Sequence, residues 1–382
     1  MARIVVLFVP GGKKSLYIYE HKQWPRFQWD KEKVGELLAQ VRYRQGRLIG
    51  NMEALGFSLR EEAMLQTLTQ EVIKSSEIEG EVLDREQVRS SLARRLGIDI
   101  AASVASDRDV EGVVEMMLDA TQNFQQELSS ERLFGWHAAL FPAGRSGMQK
   151  ITVGNWRTGE KGPMQVVSGA YGKEKVHFEA PVADKLPKEM ATFLNWFNTV
   201  YDLDPVVKAA LAHLWFVTIH PFEDGNGRIA RAIGDMQLAR ADESPQRFYS
   251  MSSQIRKERS QYYDVLEMTQ KGGVDITPWL VWFLECLDRA FHATGEILSN
   301  VLMKARFWEK YRGINLNERQ KTLLDRILNG IEGKMTSSKW AKTAKCSKET
   351  AVRDIQDLVN KGILAKEEAG GRSTSYVLSN FG

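Results

Sequence analysis

Apolar residues recur at three- and four-residue intervals from Lys31 to Met52 (Val34, Leu37, Leu38, Val41, Leu48, Ile49) and from Glu61 to Ser76 (Met64, Leu65, Leu68, Val72). That spacing lines them along one face of a helix. Val110, Val113, Val114, Met117 and Leu118 repeat the period within Asp107 to Phe124, as does Leu186 to Val200. The first half of the chain therefore reads as a helical bundle. Between Ile151 and Pro181 the pattern changes: Gly154, Gly159, Gly162, Gly169 and Gly172 surround two β-forming runs, Met164 to Ser168 and Val176 to Phe178. This predicts a β-hairpin, Pro163 to Pro181, inserted among helices. Pro205 to Ile219 is almost wholly apolar, so a helix there belongs in the core. Arg228 to Arg240, Arg259 to Thr269 and Pro278 to Leu298 supply further helices.

Beyond Gly313 the helices shorten and lysine becomes more frequent. Gln320 to Leu328, Ser337 to Ala344 and Lys348 to Lys361 read as three helices, and Leu364 to Leu378 alternates around Gly370 and Gly371. Together they predict a helix-turn-helix with a β-wing and a domain boundary near residue 313.

The 382 residues are long enough for two or three domains, and a 43% hydrophobic content allows a large core. Acids and bases nearly balance, 49 against 52, so any nucleic-acid binding must be local. Cys286 and Cys346 stand far apart without CxxC or Cys/His spacing, which argues against a disulfide framework or structural zinc and fits a reducing cytoplasm. No apolar run approaches the ~20 residues of a membrane span. Ile4 to Val9 is too short for a signal-peptide core, so residues 1–14 read either as a strand or as an upstream start extension.

The chemistry concentrates in His220-Pro-Phe-Glu-Asp-Gly-Asn-Gly-Arg228, a loop between the apolar helix and the next amphipathic one. Gly225 and Gly227 let backbone N–H groups approach a phosphate, and the following helix N-terminus adds partial positive charge. Arg228 and Arg231 are placed to hold further phosphate oxygens. Asp224 is a hard ligand suited to Mg²⁺, and His220 is the side chain best able to take a proton near neutral pH. Each feature alone has an ordinary explanation: a core histidine, a glycine turn. A metal hydrolase using His220 and Asp224 is the competing reading, but no further ligand cluster completes a three-residue set, and His137 and His213 read as core or supporting histidines.

The loop resembles the Fic motif, His-x-Phe-x-(Asp/Glu)-Gly-Asn-Gly-Arg-x-x-Arg, and matches it at His220, Phe222, Asp224, Gly225, Asn226, Gly227, Arg228 and Arg231. The resemblance implies a mainly α fold: a Fic-type helical core with an inserted β-hairpin flap, here followed by the winged helix-turn-helix. It implies a protein adenylyltransferase with ATP and Mg²⁺. His220 would deprotonate a Ser, Thr or Tyr hydroxyl that attacks the α-phosphorus, and Asp224 would hold Mg²⁺. Asn226 and the Gly225 and Gly227 amides would steady the α-phosphate, Arg228 the β and Arg231 the γ, with Phe222 anchoring the loop.

The flap, at Val166 and Val167, would register an extended target segment by backbone pairing. Arg157 in Gly154-Asn-Trp-Arg157 reads as structural. Tyr263 and Gln270 are similar to the family's nucleoside-lining residues. Ser75-Ser-Glu-Ile-Glu-Gly80 fits the family's inhibitory pattern at Ser75, Glu79 and Gly80, so Glu79 would pair bidentately with Arg231 and displace it from the γ-phosphate. Tyr17 to Phe57 is similar to an N-terminal extension of the same subgroup. The implied division is an N-terminal helical extension over 1–100, a catalytic core over 101–312 and the winged helix over 313–382.

From Asn317 onward twelve Lys/Arg face eight Asp/Glu. Ser347 as N-cap, with Lys348, Thr350 and Arg353 behind it, places polar and basic groups at the start of a recognition helix, with Arg372 at the wing tip. Asp354, Asp357, Glu367 and Glu368 weigh against a strong DNA footprint, so DNA and protein remain alternative partners. Expected partners are a protein substrate, the chain itself as acceptor, DNA through the winged helix and, from the resemblance, a second copy in a homodimer; a membrane is not expected. Two competing functions stay open: a nucleotide-sensing transcriptional regulator and a protein deAMPylase using Glu79.

Overall fold

A computed structural model describes residues 16–53, 57–100, 103–169, 174–330, 333–367 and 374–379. The expectations for residues 1–14, for the Gly370-Gly371 turn and for Arg372 lie outside the described residues. A 3₁₀ turn, Ile18–Glu20, is followed by α1 (Lys31–Glu53), α2 (Phe57–Glu79), α3 (Arg85–Leu96), α4 (Arg108–Gln122) and α5 (Ser130–Leu140). Two short antiparallel pairs come next: β1 (Arg145–Ser146) with β2 (Gln149–Lys150), and β3 (Gln165–Ser168) with β4 (Lys175–Glu179). After a second 3₁₀ turn, Ala183–Lys185, come α6 (Leu186–Asn198), α7 (Pro205–Ile219), α8 (Asn226–Asp242), α9 (Met251–Lys257), α10 (Arg259–Gln270) and α11 (Thr277–Lys310). The remainder is α12 (Glu318–Leu328), β5 (Met335–Thr336), α13 (Ser337–Thr343), α14 (Lys348–Asn360), β6 (Leu364–Lys366) and β7 (Ser375–Leu378).

Local chemistry explains most of the boundaries. Asp84 caps α3 by accepting from the Gln87 N–H at 2.9 Å, and Gly97 closes that helix in the left-handed region. Ser129 caps α5, and Asp204 with Pro205 opens α7. α3 and α9 carry too few apolar residues in period to be predicted, and α5, whose Leu133, Trp136 and Leu140 do keep the period, was not predicted. Arginine-rich α3 is held by packing of Val88 and Leu92 and by the Arg89–Glu62 ion pair to α2. α11 runs past Leu298 to Lys310, because Val301 and Phe307 continue its buried face.

Two compact units result. In the first, formed by the described residues up to Gly97 together with Val104–Ile297, α7 is the central rod and every residue from Val206 to Ile219 is buried. α8 packs along α7, while α2 packs against α8, α9, α3 and α4. The β3–β4 hairpin lies over the N-terminal turn, where the Phe178 ring meets Tyr17 and Tyr19 edge-on. The N-terminal helices thus share one compact unit with the loop-bearing helices instead of standing apart. The reason is burial: residues of α2 such as Leu65, Leu68, Val72, Ser75 and Ser76 have at most 1% of their surface exposed.

The second unit takes the described residues of Ile98–Ser103 together with those from Leu298 onward, so its C-terminal part starts inside α11 and not at 313. It has its own core, Phe307, Leu323, Leu324, Trp340, Ile355, Leu358 and Leu364. α12, α13 and α14 stand with a three-stranded antiparallel sheet in the order β5-β7-β6.

Candidate active site

The expected loop joins α7 to α8. His220 ends α7 with φ 52° and ψ 58°, a left-handed conformation that costs a non-glycine residue on the order of 1 kcal/mol. Three contacts hold it there: its N–H donates to Phe216 O at 3.0 Å, Arg157 Nε donates to its carbonyl at 2.8 Å, and the Arg157 N–H donates to Pro221 O at 2.9 Å. Arg157 is therefore a clamp on the backbone of the loop.

The imidazole of His220 sits at hydrogen-bond distance from Val217 O, 3.1 Å from Nδ1. A carbonyl only accepts, so Nδ1 carries the proton and Nε2 the lone pair. Nε2 is buried and has no hydrogen-bond partner. Burial lowers the pKa to about 4, with Arg157 pushing the same way, while the Val217 bond, Asp224 and Glu79 oppose. The ring is thus a neutral base at physiological pH.

Phe222 is fully buried and stacks on His137, with centroids 4.2 Å apart and planes 7° from parallel. Gly154 N–H donates to His137 Nδ1 at 3.3 Å, which leaves Nε2–H to donate to Asp224 O at 3.2 Å. His137 is therefore a neutral strut beneath the loop, its pKa lowered to about 4 by burial. His213 likewise supports the site from the core, 2.9 Å from the Tyr262 hydroxyl.

Asn226 differs from its expected role. Its carboxamide accepts from Phe222 N–H at 2.9 Å and donates to Phe222 O at 2.8 Å, so it staples the loop to itself and is not free for a phosphate. The cradle is left to the backbone. α8 begins at Asn226 with no side-chain cap, and Gly225 precedes it at φ 81°. A Cβ at Gly225 would meet Phe141 at 2.9 Å, so both space and conformation demand glycine. The uncapped first turn of α8 offers its N–H groups and the positive end of its dipole, the features that suit an anion. Asp224 stands beside it: Oδ1 accepts from Gly225 N–H at 2.6 Å, and Ser146 Oγ donates to Oδ2. Among the described residues no group of three or more His, Cys, Asp and Glu is placed to hold a metal ion.

The two motif arginines are both engaged. Arg231 donates from Nε to Ser75 Oγ at 2.9 Å, from one terminal nitrogen to Ser75 O at 2.8 Å and from the other to Glu79 Oε1 at 2.8 Å. The expected bidentate pair is thus a single-oxygen contact. Ser75 takes the rest of the guanidinium, and Glu79 Oε2 faces the Tyr263 hydroxyl at 3.5 Å. The same carboxylate lies against the cradle, since a Cβ at Gly227 would come within 2.1 Å of Glu79 Oε1. Arg259 holds the end of α2 by donating to Ile78 O at 2.7 Å. Two arginines at a helix C-terminus complement its dipole.

Glu79, His220, Gly227, Tyr263, Gln270, Val166 and Val167 line one cavity of about 500 Å³ between the β3–β4 hairpin and α10. Gln270 is buried and donates to Thr218 Oγ1 at 3.2 Å. A flap residue, His177, and one residue that sequence reasoning did not single out, Glu81, also reach this region. His177 bridges Ser168 and Glu267 at 2.5 Å each, tying the hairpin to α10. Glu81 pairs with Arg228; the only signal for it was its place next to Gly80.

Burial of neutral histidines predicts acid lability. His137, His213 and His220 are lowered to about 4, about 3 and about 4. An unfolded imidazole titrates near 6.5, so between pH 6.5 and about 4 the unfolded chain takes up protons that the folded chain refuses. This stability is present in full above pH 6.5 and declines as pH falls through that window. The loss comes to several kcal/mol in all, because each tenfold drop in proton affinity on folding is worth roughly 1.4 kcal/mol. Melting temperature should fall steadily from pH 7 to 4.5; a flat profile would contradict the assigned neutral state.

Residues 127–238, which contain the loop, match the Fic/DOC family, and residues 17–98 match a domain of unknown function, DUF4172. The chain carries a Fic domain. A protein adenylyltransferase Fic from Drosophila willistoni is 28% identical over 242 residues, covering 61% of this chain and 44% of its own length. Another, from Drosophila mojavensis, is 36% identical over 120 residues, covering 30% and 22%. The chain thus spans less than half the length of these curated relatives. A Fic family protein from Desulfovibrio desulfuricans G20 has the same fold, with a TM-score of 0.51 at 21% identity over 92% of this chain and 97% of its own.

Proposed function

We propose that the chain is an autoinhibited protein adenylyltransferase that moves AMP from ATP to a Ser, Thr or Tyr hydroxyl of a target protein or of itself. One observation carries the reading: a buried histidine, neutral and with an unpartnered Nε2, opens into the same cavity as the bare N-terminus of α8. The acceptor hydroxyl gives its proton to His220 Nε2 as its oxygen bonds to the α-phosphorus. The bond from that phosphorus to the bridging oxygen breaks, and pyrophosphate leaves. The Gly227 amide in the first turn of α8 meets charge on the α-phosphate, and Arg228 and Arg231 meet the β- and γ-phosphates. Mg²⁺ held against a polyphosphate needs only one or two carboxylates, which Asp224 fits; it would supply charge neutralisation. Tyr263 and Gln270 face the nucleoside end of the cavity, and the β3 edge takes the target segment.

Glu79 supplies the inhibition. It occupies Arg231 and brings a negative charge to the phosphate cradle, so ATP binds without full engagement. Incubation with ATP labelled on its α-phosphate tests this. The Glu79→Gly variant should label itself or an added protein at least about tenfold faster than wild type, the equivalent of one lost charged hydrogen bond. Absence of labelling by any variant would leave a nucleotide-sensing regulator as the better reading. Faster removal of AMP by wild type than by Glu79→Gly would favour a deAMPylase.

The second unit suits a winged helix-turn-helix. Two acids that weigh against DNA binding are satisfied inside it: Asp354 pairs with Arg319 at 2.8 Å, and Asp357 with Lys361 and Gln320. Lys348 and Arg353 on α14 remain exposed for phosphates. A cytoplasmic homodimer completes the proposal. Among the described residues no helix is long and apolar enough to cross a membrane.

A further inference from the structure

The end of α2 carries a second carboxylate that the inhibitory pattern does not include. Gly80 adopts φ +90°, its N–H donates to Glu77 O at 3.1 Å, and the Glu81 N–H donates back to Ser76 O at 3.0 Å. This is a glycine-terminated helix end, in which a left-handed residue reverses the chain within one step. The reversal puts Glu79 and Glu81 on the same arginine pair. Glu79 Oε1 lies 2.8 Å from Arg231, and Glu81 Oε2 lies 2.5 Å from Arg228.

Arg228 is otherwise poised for an anion. Its side chain is 3% exposed, its guanidinium sits 5.1 Å from the centre of the Phe141 ring, and its Nε is buried without a partner. Glu81 is of a different kind from Glu79. Its side chain is 46% exposed, against 26% for Glu79, and it lies in the short loop between α2 and α3, next to Val82 at 87% exposure. It can leave Arg228 by rotating into water, without moving α2.

We infer that Glu81 is a second inhibitory latch: it occupies Arg228 as Glu79 occupies Arg231, so that both phosphate-binding arginines must be freed before ATP is held productively. The inference rests on the proposed transferase reading for its effect on the reaction, but not for its effect on nucleotide affinity. Partial burial of Glu81 works against its ionised form, with the like charges of Asp224 and Glu79 acting the same way and Arg228 opposing them.

Calorimetric ATP titration and α-phosphate labelling, on wild type, Glu81→Gln, Glu79→Gly and the double variant, test the latch. Glu81→Gln alone should bind ATP about three- to tenfold more tightly than wild type, the reduced return of a half-exposed charged pair. It should transfer AMP no faster than wild type, because Glu79 still holds Arg231. In the Glu79→Gly background, Glu81→Gln should add a further severalfold gain in transfer. Glu86→Gln, which removes a neighbouring charge on α3, is the control and should change neither quantity. Unchanged or weaker ATP binding in Glu81→Gln, or a gain matched by Glu86→Gln, would overturn the latch. If no variant transfers AMP to any protein, the transferase reading fails; the latch then stands or falls on ATP affinity alone.

Discussion

In a Glu79→Gly background, His220→Ala should lower the rate of AMP transfer by about 10²- to 10⁴-fold, the usual return of a positioned general base. ATP affinity should stay within a few-fold, because His220 offers the nucleotide no charge at neutral pH. Tautomer and burial fit the ring to this role: Val217 fixes the proton on Nδ1, and Nε2 has no hydrogen-bond partner. Alanine also loses whatever favours the left-handed cap at φ 52°, so a mere folding defect must be separated. His220→Asn does this, since Asn tolerates that conformation and cannot act as the base. It should melt close to the parent and transfer AMP as poorly as the alanine variant. The pH profile gives a second check. With the base lowered to about 4, kcat/KM should show no acid limb near 6.5 and should fall only toward pH 4. Removing Glu79 takes away an influence that raises this pKa, so the limb should not move up in the activated variant. Transfer by His220→Asn at the parental rate would eliminate His220 as the base.

Phe222→Ala should destabilise the unit that carries the site by about 3–5 kcal/mol, the range for emptying a fully buried aromatic site. Phe222 sits among aromatic neighbours: it stacks on His137, meets Trp156 at 5.1 Å, and has Phe134 and Phe216 at 6.4 Å each. A unit of this size should lose on the order of 10 °C in melting temperature. The functional loss should exceed what unfolding explains, because Asn226 grips the backbone of this very residue and His137 reaches the Asp224 carbonyl. Transfer by Glu79→Gly/Phe222→Ala, measured well below its melting point, should therefore still be reduced at least about tenfold, roughly a 1.4 kcal/mol displacement of the loop from its productive position. Phe222→Leu, which fills part of the space, should recover most of the stability. A loss below about 1 kcal/mol would mean that the ring does not anchor the loop.

Much of this architecture was legible beforehand where periodicity is strong. The stretch Pro205 to Ile219 is apolar on every side and could only be a core helix, and the glycine-flanked runs from Met164 to Phe178 became the β3–β4 pair. Elements carried by mixed sequence were not legible. α3 holds four arginines in twelve residues, and α9 is only seven residues long. Their helicity comes from caps and neighbours more than from an apolar stripe. The structure divides the units elsewhere because the period of α2 marks a buried face, Leu65, Leu68 and Val72 with Ser75 and Ser76, without naming the helices α8 and α9 that it packs against.

The chain alone determined which groups are available: a histidine, a carboxylate, two glycines and two arginines within twelve residues, and a Glu-Gly step far upstream. Proximity along a chain sets such a list, because a loop between two core helices cannot scatter its residues. Tertiary packing decided what each group does. Asn226 became a staple because the loop folds back on Phe222, and Glu79 shares Arg231 with Ser75 because α2 lies against α8. Glu81 reached Arg228 because a left-handed glycine turns the chain at the helix end. Contacts between residues some 150 positions apart depend on how helices pack, and hydrophobic period specifies which face is buried without specifying its partner.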